Sequence, residues 1–317
     1  MLKTSVVICT YNGQEYLKRQ LDSVAHQVVG ANEVVIVDDA STDGSWSIIC
    51  NFREAHPHMN LRIYKNEGNL GFVANFVGAA SLASNEIIFF CDQDDIWRPD
   101  KIQKSINKFI ADPALTCLHS NARIIDVNSH DTGDNLFSVL KITQAELNKM
   151  ALFSYFEVLL RRNVVTGATM AVRRSAFLKT LPIPSGWIHD DWIPLVNSLI
   201  GKVAYESELL IDYRVHPGNT IGLGSGRIKN IFSDKLTILD SYRLRIQKLQ
   251  RLQGRCFGEK EQQQYLEGYI AYMQYRVDIA SRSFGKRLLL VMVKFIDGTY
   301  KKFGRGLKSA ARDLFSF

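Results

Sequence analysis

Long apolar runs are missing from this chain. The longest reaches from Leu288 to Val293 and, past Lys294, to Ile296. That is too short for the roughly 20 residues a helix needs to cross a bilayer. Cysteine is scarce and odd in number: Cys9, Cys50, Cys91, Cys117 and Cys256. Their spacing makes no metal knuckle, so they read as reduced, mostly buried thiols of a cytosolic protein. A secretory leader is not expected, because Met1-Leu2-Lys3-Thr4 runs straight into the strand-like Ser5-Val6-Val7-Ile8-Cys9. Repeats and low-complexity tracts are absent. Thr10-Tyr11-Asn12-Gly13, which closes that first strand, holds one glycine and no basic residue, not the glycine- and basic-rich run of a phosphate loop. This weighs against a nucleotidyltransferase.

What is present is ordinary in bulk and uneven in charge. The chain has 317 residues, 46% hydrophobic and 22% charged, enough for one large domain or a domain with an appendage. From Arg227 onward there are 19 Lys and Arg against 8 Asp and Glu, a net of +11. The whole chain is +7, so residues 1–226 hold about −4. An acidic body is a poor match for nucleic acid, which needs cations interleaved with aromatics along a groove. A basic tail suits an anionic surface.

The first hundred residues alternate strand and helix. Strands are expected at Ser5–Thr10, Glu33–Val37, Leu61–Lys65 and Glu86–Cys91, with helices at Tyr16–Ala25, Ser45–Glu54 and Phe72–Ser84 between them. This pattern predicts a doubly wound, mostly parallel α/β sheet whose strand-end loops share one edge. Beyond Asp100 a helix is expected at Lys101–Ile110 and a strand at Leu115–Asn121. An irregular stretch follows from Arg123 to Leu140. A broken strand at Val164–Val172, a helix at Trp192–Ile200 and two short strands within Lys202–Arg214 complete the body. From Ile228 the pattern is helical and charged, with Glu259–Arg282 and Gly285–Phe303 as helical stretches. Glycines between Gly222 and Gly226 mark the boundary. Residues 1–222 are then one α/β body, which changes character near Asp100 into parts 1–100 and 101–222. Residues 223–317 are a basic helical region.

Carboxylates sit where such a sheet binds ligands, at the ends of apolar strands. Ile87-Ile88-Phe89-Phe90-Cys91 stops at Asp92-Gln93-Asp94-Asp95. On an extended backbone Asp92 and Asp94 would point the same way, and two hard oxygen ligands suit Mg²⁺ or Mn²⁺. An acidic surface turn is the plainer alternative. Asp39 ends a second apolar strand and needs a partner there; it could accept from a pyrimidine imide N–H. Thr42 or Asp43 is expected to cap the following helix. In His189-Asp190-Asp191-Trp192, Asp191 suits the N-cap of the Trp192–Ile200 helix, which leaves Asp190 for general-base chemistry. Trp97, Trp187 and Trp192 are core residues by default, with stacking on a bound ligand open for Trp187. Gly167 reads either as a place where backbone comes close to a ligand or as a turn glycine.

Taken in order, Thr10-Tyr11-Asn12-Gly13, Val37-Asp38-Asp39-Ala40-Ser41-Thr42-Asp43-Gly44-Ser45, Asn69-Leu70-Gly71, Asp92-Gln93-Asp94-Asp95-Ile96-Trp97, Gly167-Ala168-Thr169 and His189-Asp190 resemble family 2 glycosyltransferases across roughly residues 4–220. Tyr213-Arg214-Val215-His216-Pro217-Gly218-Asn219-Thr220-Ile221-Gly222 is similar to a segment of bacterial rhamnosyltransferase-type members. The resemblance implies the A-type glycosyltransferase fold with a C-terminal helical appendage, residues 1–222 being the catalytic domain with a nucleotide-binding half (1–100) and an acceptor half (101–222). It implies a nucleoside-diphosphate sugar donor (dTDP-rhamnose or a UDP-hexose), a glycan or lipid-linked acceptor, and Mn²⁺ or Mg²⁺. Thr10, Tyr11 and Asn12 would line the base and ribose pocket, Asp39 the imide, and Asp92 the ribose or metal. Asp94 would bind the metal, with His216 completing that site. Gly167 would lie against the nucleotide sugar. Asp190 would be the base of an inverting displacement; Asp191, standing where an aromatic often does, competes for that role. The alternatives are a sugar nucleotidyltransferase and a non-catalytic sugar-nucleotide-binding protein.

Overall fold

The computed structural model describes residues 2–152, 155–218, 238–255 and 258–315. The expected Gly222–Gly226 boundary, the end of the motif from Asn219 to Gly222 and the helical start at Ile228 lie outside these residues. The chain divides into two compact units: Met1–Leu159 with Asn163–Ser225, and Leu160–Arg162 with Gly226–Phe317.

The first unit is built on one sheet. Its opening strands are β1 (Thr4–Thr10), β2 (Glu33–Asp38), β3 (Leu61–Lys65) and β4 (Ile87–Cys91), all parallel in the order β3-β2-β1-β4. Every residue of β1, β2 and β4 is buried. Such strands read as unbroken apolar runs because helices cover both faces of the sheet. The crossovers are α1 (Leu17–Ala25), α2 (Ser45–Ala55) and α3 (Phe72–Leu82). α1 buries Leu17, Leu21 and Val24 on one stripe, the spacing that marked it as helical.

Past Cys91 the sheet becomes mixed. The remaining strands are β5 (Ile96–Trp97), β6 (Leu115–Ile125), β7 (Asp131–Asn135), β8 (Met170–Arg173) and β9 (Lys202–Arg214). β8 runs antiparallel between β4 and β6, and β9 runs parallel to β6. β9 is one strand of 13 residues, not the two short ones expected. Its pairing with β6 slips between Leu115 and Cys117 and twice between Ser120 and Arg123, which disguises it in sequence. The expected irregular stretch holds a real hairpin: β7 folds back on β6, and α5 (Leu136–Val139) follows, capped by Asn135. α4 (Lys101–Ala111), α6 (Gln144–Ala151), α7 (Tyr155–Arg161), α8 (Arg174–Lys179) and α9 (His189–Ile200) complete the element order. The expected strand from Val164 is instead a 3-10 turn, Gly167–Thr169, leading into β8. Cys9, Cys91 and Cys117 are buried free thiols, and Cys50 is a partly buried one.

The second unit is helical: α10 (Ile238–Gln253), α11 (Lys260–Ala280), α12 (Phe284–Ile296), α13 (Thr299–Phe303) and α14 (Leu307–Phe315). Tyr242, Leu249, Tyr272, Met273, Tyr300 and Phe303 form its interior. Arg276 holds Asp313 bidentately, with Nε to Oδ2 at 2.7 Å, and Tyr300 Oη donates to Asp313 Oδ2 at 2.9 Å. The expected helix through Phe303 breaks after Ile296, where Gly298 takes a left-handed φ of 79° that favours glycine.

Candidate active site

The carboxyl ends of β1, β2 and β4 supply one wall of the site. β4 ends at Cys91, and Asp92-Gln93-Asp94 follows in a loop. The two-residue alternation of an extended strand therefore does not govern where Asp92 and Asp94 point. Gln93, which lies between them, ties this loop to the end of β1. Its Oε1 accepts from Thr10 Oγ1 at 2.7 Å and from the Tyr11 N–H at 2.8 Å, and its Nε2 donates to Tyr11 O at 3.2 Å. The contact requires Gly13, since a Cβ there would lie 2.2 Å from Gln93 Oε1.

Asn12 links β1 to the loop after β2. It has a φ of 48°, its N–H donates to Ser41 Oγ at 2.9 Å, and its Oδ1 accepts from the Thr42 N–H at 2.9 Å. The N-cap position of α2 is Gly44, and the expected capping comes from one residue further out, where Asp43 Oδ1 accepts from the Ser45 N–H at 2.9 Å. Asp43 Oδ2 also accepts from the Gln14 N–H at 3.1 Å. Asp39 is buried and closes the next loop. It accepts from Asn66 Nδ2 at 2.7 Å, from the Leu70 N–H at 2.9 Å and from the Gly71 N–H at 2.9 Å. These bonds explain Asn69-Leu70-Gly71. A carboxylate offers about four lone-pair sites, so one remains for a further donor.

The second wall comes from α9. The helix begins at His189 with Ile188 as its N-cap, so Asp190 and Asp191 lie in its first turn and Asp191 is not the cap expected. Carboxylates there meet the positive end of the helix dipole. Asp190 Oδ2 accepts from the Gly167 N–H at 3.2 Å, and Oδ1 from Asn163 Nδ2 at 3.4 Å. In this structure Gly167 serves Asp190 and His189: a Cβ on it would stand 2.7 Å from His189 Nε2. His189 is buried among Phe72, Phe76 and Phe90, its ring stacked on Phe90 at 5.7 Å. Burial pulls its pKa down to about 4, so it is neutral. Trp187 is buried against Trp192 at 5.2 Å, and Trp192 Nε1 donates to Thr180 O. Trp97 is buried as well. All three tryptophans belong to the interior, and the stacking role open to Trp187 has no exposed face to act through.

The end of β9 completes the cleft. Arg214, fully buried, donates from its backbone N–H to Asp95 Oδ1 at 2.9 Å and from Nε to Asp94 O at 2.8 Å. Its Nη1 donates to Asp126 O and Ser129 Oγ, each at 2.9 Å, while the guanidinium lies 4.6 Å over the Tyr16 ring. This network fixes His216, whose Nε2 lies 2.9 Å from Asp94 Oδ2 and whose ring meets Tyr16 at 4.9 Å. Sequence reading assigned no role to Gln93 or Arg214. Their signal is a large polar residue inside a motif, Gln93 between two aspartates and Arg214 beside Tyr213.

Electrostatics show that the walls face each other. Burial and the charges of Asp94 and Asp190 push the Asp92 pKa up to about 8. Asp92 therefore lies near enough to both Asp94 and Asp190 to feel their charges, though it stands 98 positions before Asp190 in the chain. Burial pushes Asp190 up to about 7, helped by the Asp191 charge and opposed by the Gly167 N–H. A carboxylate poised near neutrality suits general-base work.

Among the described residues no three His, Cys, Asp or Glu side chains are arranged to hold a metal ion. Asp94 and His216 are a carboxylate and an imidazole on one spot. Such a pair fits a hard cation that takes its other ligands from phosphate oxygens and water.

A model of the glycosyl transferase family 2 matches residues 5–181. An uncharacterized glycosyltransferase of Nostoc sp. is 31% identical over 69% of this chain and 66% of its own length. The chain spans 58–66% of the length of the first curated relatives it matches. Among solved structures, S. aureus TarS 1–349 in complex with UDP-GlcNAc superposes with a TM-score of 0.60 at 15% identity, over 95% of this chain and 82% of that one. The Pyrobaculum calidifontis mannosyltransferase in complex with GDP-Man and Mn²⁺ gives 0.57 at 17% identity, over 99% and 88%. The fold is thus the α/β fold of these glycosyltransferases, a sheet with helices and a helical C-terminal region. By its family match and by the fold that carries it, this chain is a member of glycosyl transferase family 2.

Proposed function

We propose that the chain is an inverting, metal-dependent glycosyltransferase of the hexosyl type. It would move a sugar from a nucleoside diphosphate to a hydroxyl of a glycan or lipid-linked acceptor in bacterial polysaccharide synthesis. The carrying observation is that Asp92 senses the charges of both Asp94 and Asp190. One cleft then holds a carboxylate paired with an imidazole and a second carboxylate with a pKa of about 7.

Thr10, Tyr11, Asn12 and the free lone pair of Asp39 line the base end. Asp92 faces the ribose, and Asp94 with His216 would hold Mn²⁺ or Mg²⁺ at the diphosphate. A cation held there neutralises charge on the leaving diphosphate and fixes its orientation. Asp190 accepts the acceptor's hydroxyl proton while that oxygen attacks the anomeric carbon. The new bond forms opposite the bond to the diphosphate, whose electron pair leaves with it. One displacement of this kind inverts the configuration, without the two carboxyl groups a glycosidase places around its bond. Gly167 holds Asp190 in position through its N–H. dTDP-rhamnose and UDP-hexoses are the donors proposed; TarS in complex with UDP-GlcNAc and the mannosyltransferase in complex with GDP-Man support a nucleoside-diphosphate sugar as the class. A nucleotide-sugar donor also supports a cytoplasmic site of action.

The test is product stereochemistry. The protein is incubated with candidate nucleotide sugars, Mn²⁺ and acceptor glycans, and the anomeric coupling of the product is read by NMR. Inversion relative to the donor is expected; retention would overturn the single-displacement reading.

A further inference from the structure

We propose that α12 docks the protein on an anionic lipid surface, lying in the interface with its apolar stripe in the acyl boundary. The helix has its apolar residues on the wrong side for a soluble unit. Ile296 is 80% exposed, Leu289 63%, Phe284 54%, Val293 52%, Met292 51% and Phe295 45%. The residues it buries are Arg287 and Val291. A surface helix of a soluble protein turns its apolar stripe inward and its charges outward. Here a contiguous apolar band faces solvent, the usual mark of an interaction site.

Charge selects the occupant. Residues 284–315 contain eight Lys and Arg against two Asp. Lys286, Lys301, Lys302, Arg305 and Lys308 are all exposed. A second copy would bring two such cationic segments together, and like charge opposes that contact. A nucleic acid would match the cations and leave the apolar band in water. An anionic lipid surface satisfies both, with acyl chains under the band and headgroups around the cations. Crossing is not an option: α12 has 13 residues, about 20 Å of helix against a hydrocarbon core of about 30 Å. No helix among the described residues is long and apolar enough to span a membrane.

The experiment uses the full chain and flotation with phosphatidylcholine vesicles, with and without phosphatidylglycerol. The wild type should float with the anionic vesicles, less so at high salt. The double variant Leu289→Glu, Ile296→Glu should bind them at least about tenfold more weakly, because two exposed apolar side chains become charged. Both positions are solvent-exposed, so circular dichroism should be unchanged, and binding of nucleotide sugars should be retained. The donor-binding readout separates failure here from failure of the glycosyltransferase reading. Equal flotation of variant and wild type would overturn the proposal. So would no wild-type flotation, or a dimer in sedimentation that the variant abolishes without any change in vesicle binding.

Discussion

Replacing Asp190 by asparagine separates a catalytic carboxylate from a structural one. The substitution keeps size and shape. The new amide oxygen can accept from the Gly167 N–H, as Asp190 Oδ2 does now at 3.2 Å. Its nitrogen faces Asn163, whose own amide can flip to accept. Geometry is therefore nearly preserved while the proton acceptor is lost, and general-base catalysis contributes about 10²–10⁴-fold. Turnover should fall by that factor, with little change in donor affinity. Stability moves the other way. The Asp190 pKa rises from 3.8 to about 7 in the folded chain, and each unit corresponds to about 1.36 kcal/mol. A raised carboxyl pKa means that the folded state holds a proton the unfolded state has released. Stability tied to this group is therefore present below about pH 4 and is lost as pH rises to about 7. With partial solvent contact the cost is about 2–4 kcal/mol at most. The Asp190→Asn variant should match wild type in acid and exceed it above about pH 7. Urea unfolding across that range, beside a transfer assay, reads both effects. A variant less stable than wild type at every pH, or one with near wild-type turnover, would refute the assignment.

Three further outcomes follow from contacts in the same cleft. Gly167→Ala drives a Cβ to 2.7 Å from His189 Nε2; unfolding should show a loss of about 1–3 kcal/mol, and kcat should fall more than donor KM rises. His216→Ala removes the imidazole 2.9 Å from Asp94, and titration of activity with Mn²⁺ should show a requirement about 10–100-fold higher. Asp39→Asn replaces one acceptor of the Leu70 and Gly71 N–H groups by a donor. It should cost about 1–3 kcal/mol in denaturant melts and raise the KM for the nucleotide sugar.

How much of this was legible in the sequence depended on which interactions made each element. β1 to β4 and their helices are fixed by local pattern, since buried parallel strands are unbroken apolar runs and α1 repeats its apolar residues at helical spacing. The second half depends on partners far along the chain. β9 is a single strand only because β6 tolerates several slips of register, and β5 is two residues held by β9. No short window records such pairing. The start of α9 was missed for a different reason. Two aspartates ahead of Trp192 mimic a cap, yet they occupy the first turn itself, with Pro194 further in. In the site, strand-end carboxylates announced themselves, whereas the groups that aim them did not. Gln93 and Arg214 work by bridging loops, and a bridge is visible only once both ends are in space. Gly167 reads from sequence as a ligand approach or a turn glycine, and its crowding by the His189 ring is visible only in space.

The most direct measurement is thermal unfolding of the wild type and of Asp94→Ala against a panel of nucleotide sugars, each with and without Mn²⁺. Ligand that binds only the folded chain raises the midpoint by mass action. One nucleoside-diphosphate sugar should stabilise the wild type strongly with Mn²⁺ and weakly without it, and Asp94→Ala should lose the Mn²⁺-dependent part. No stabilisation by any member of the panel, or an equal shift in Asp94→Ala, would contradict a metal-assisted nucleotide-sugar site in this cleft.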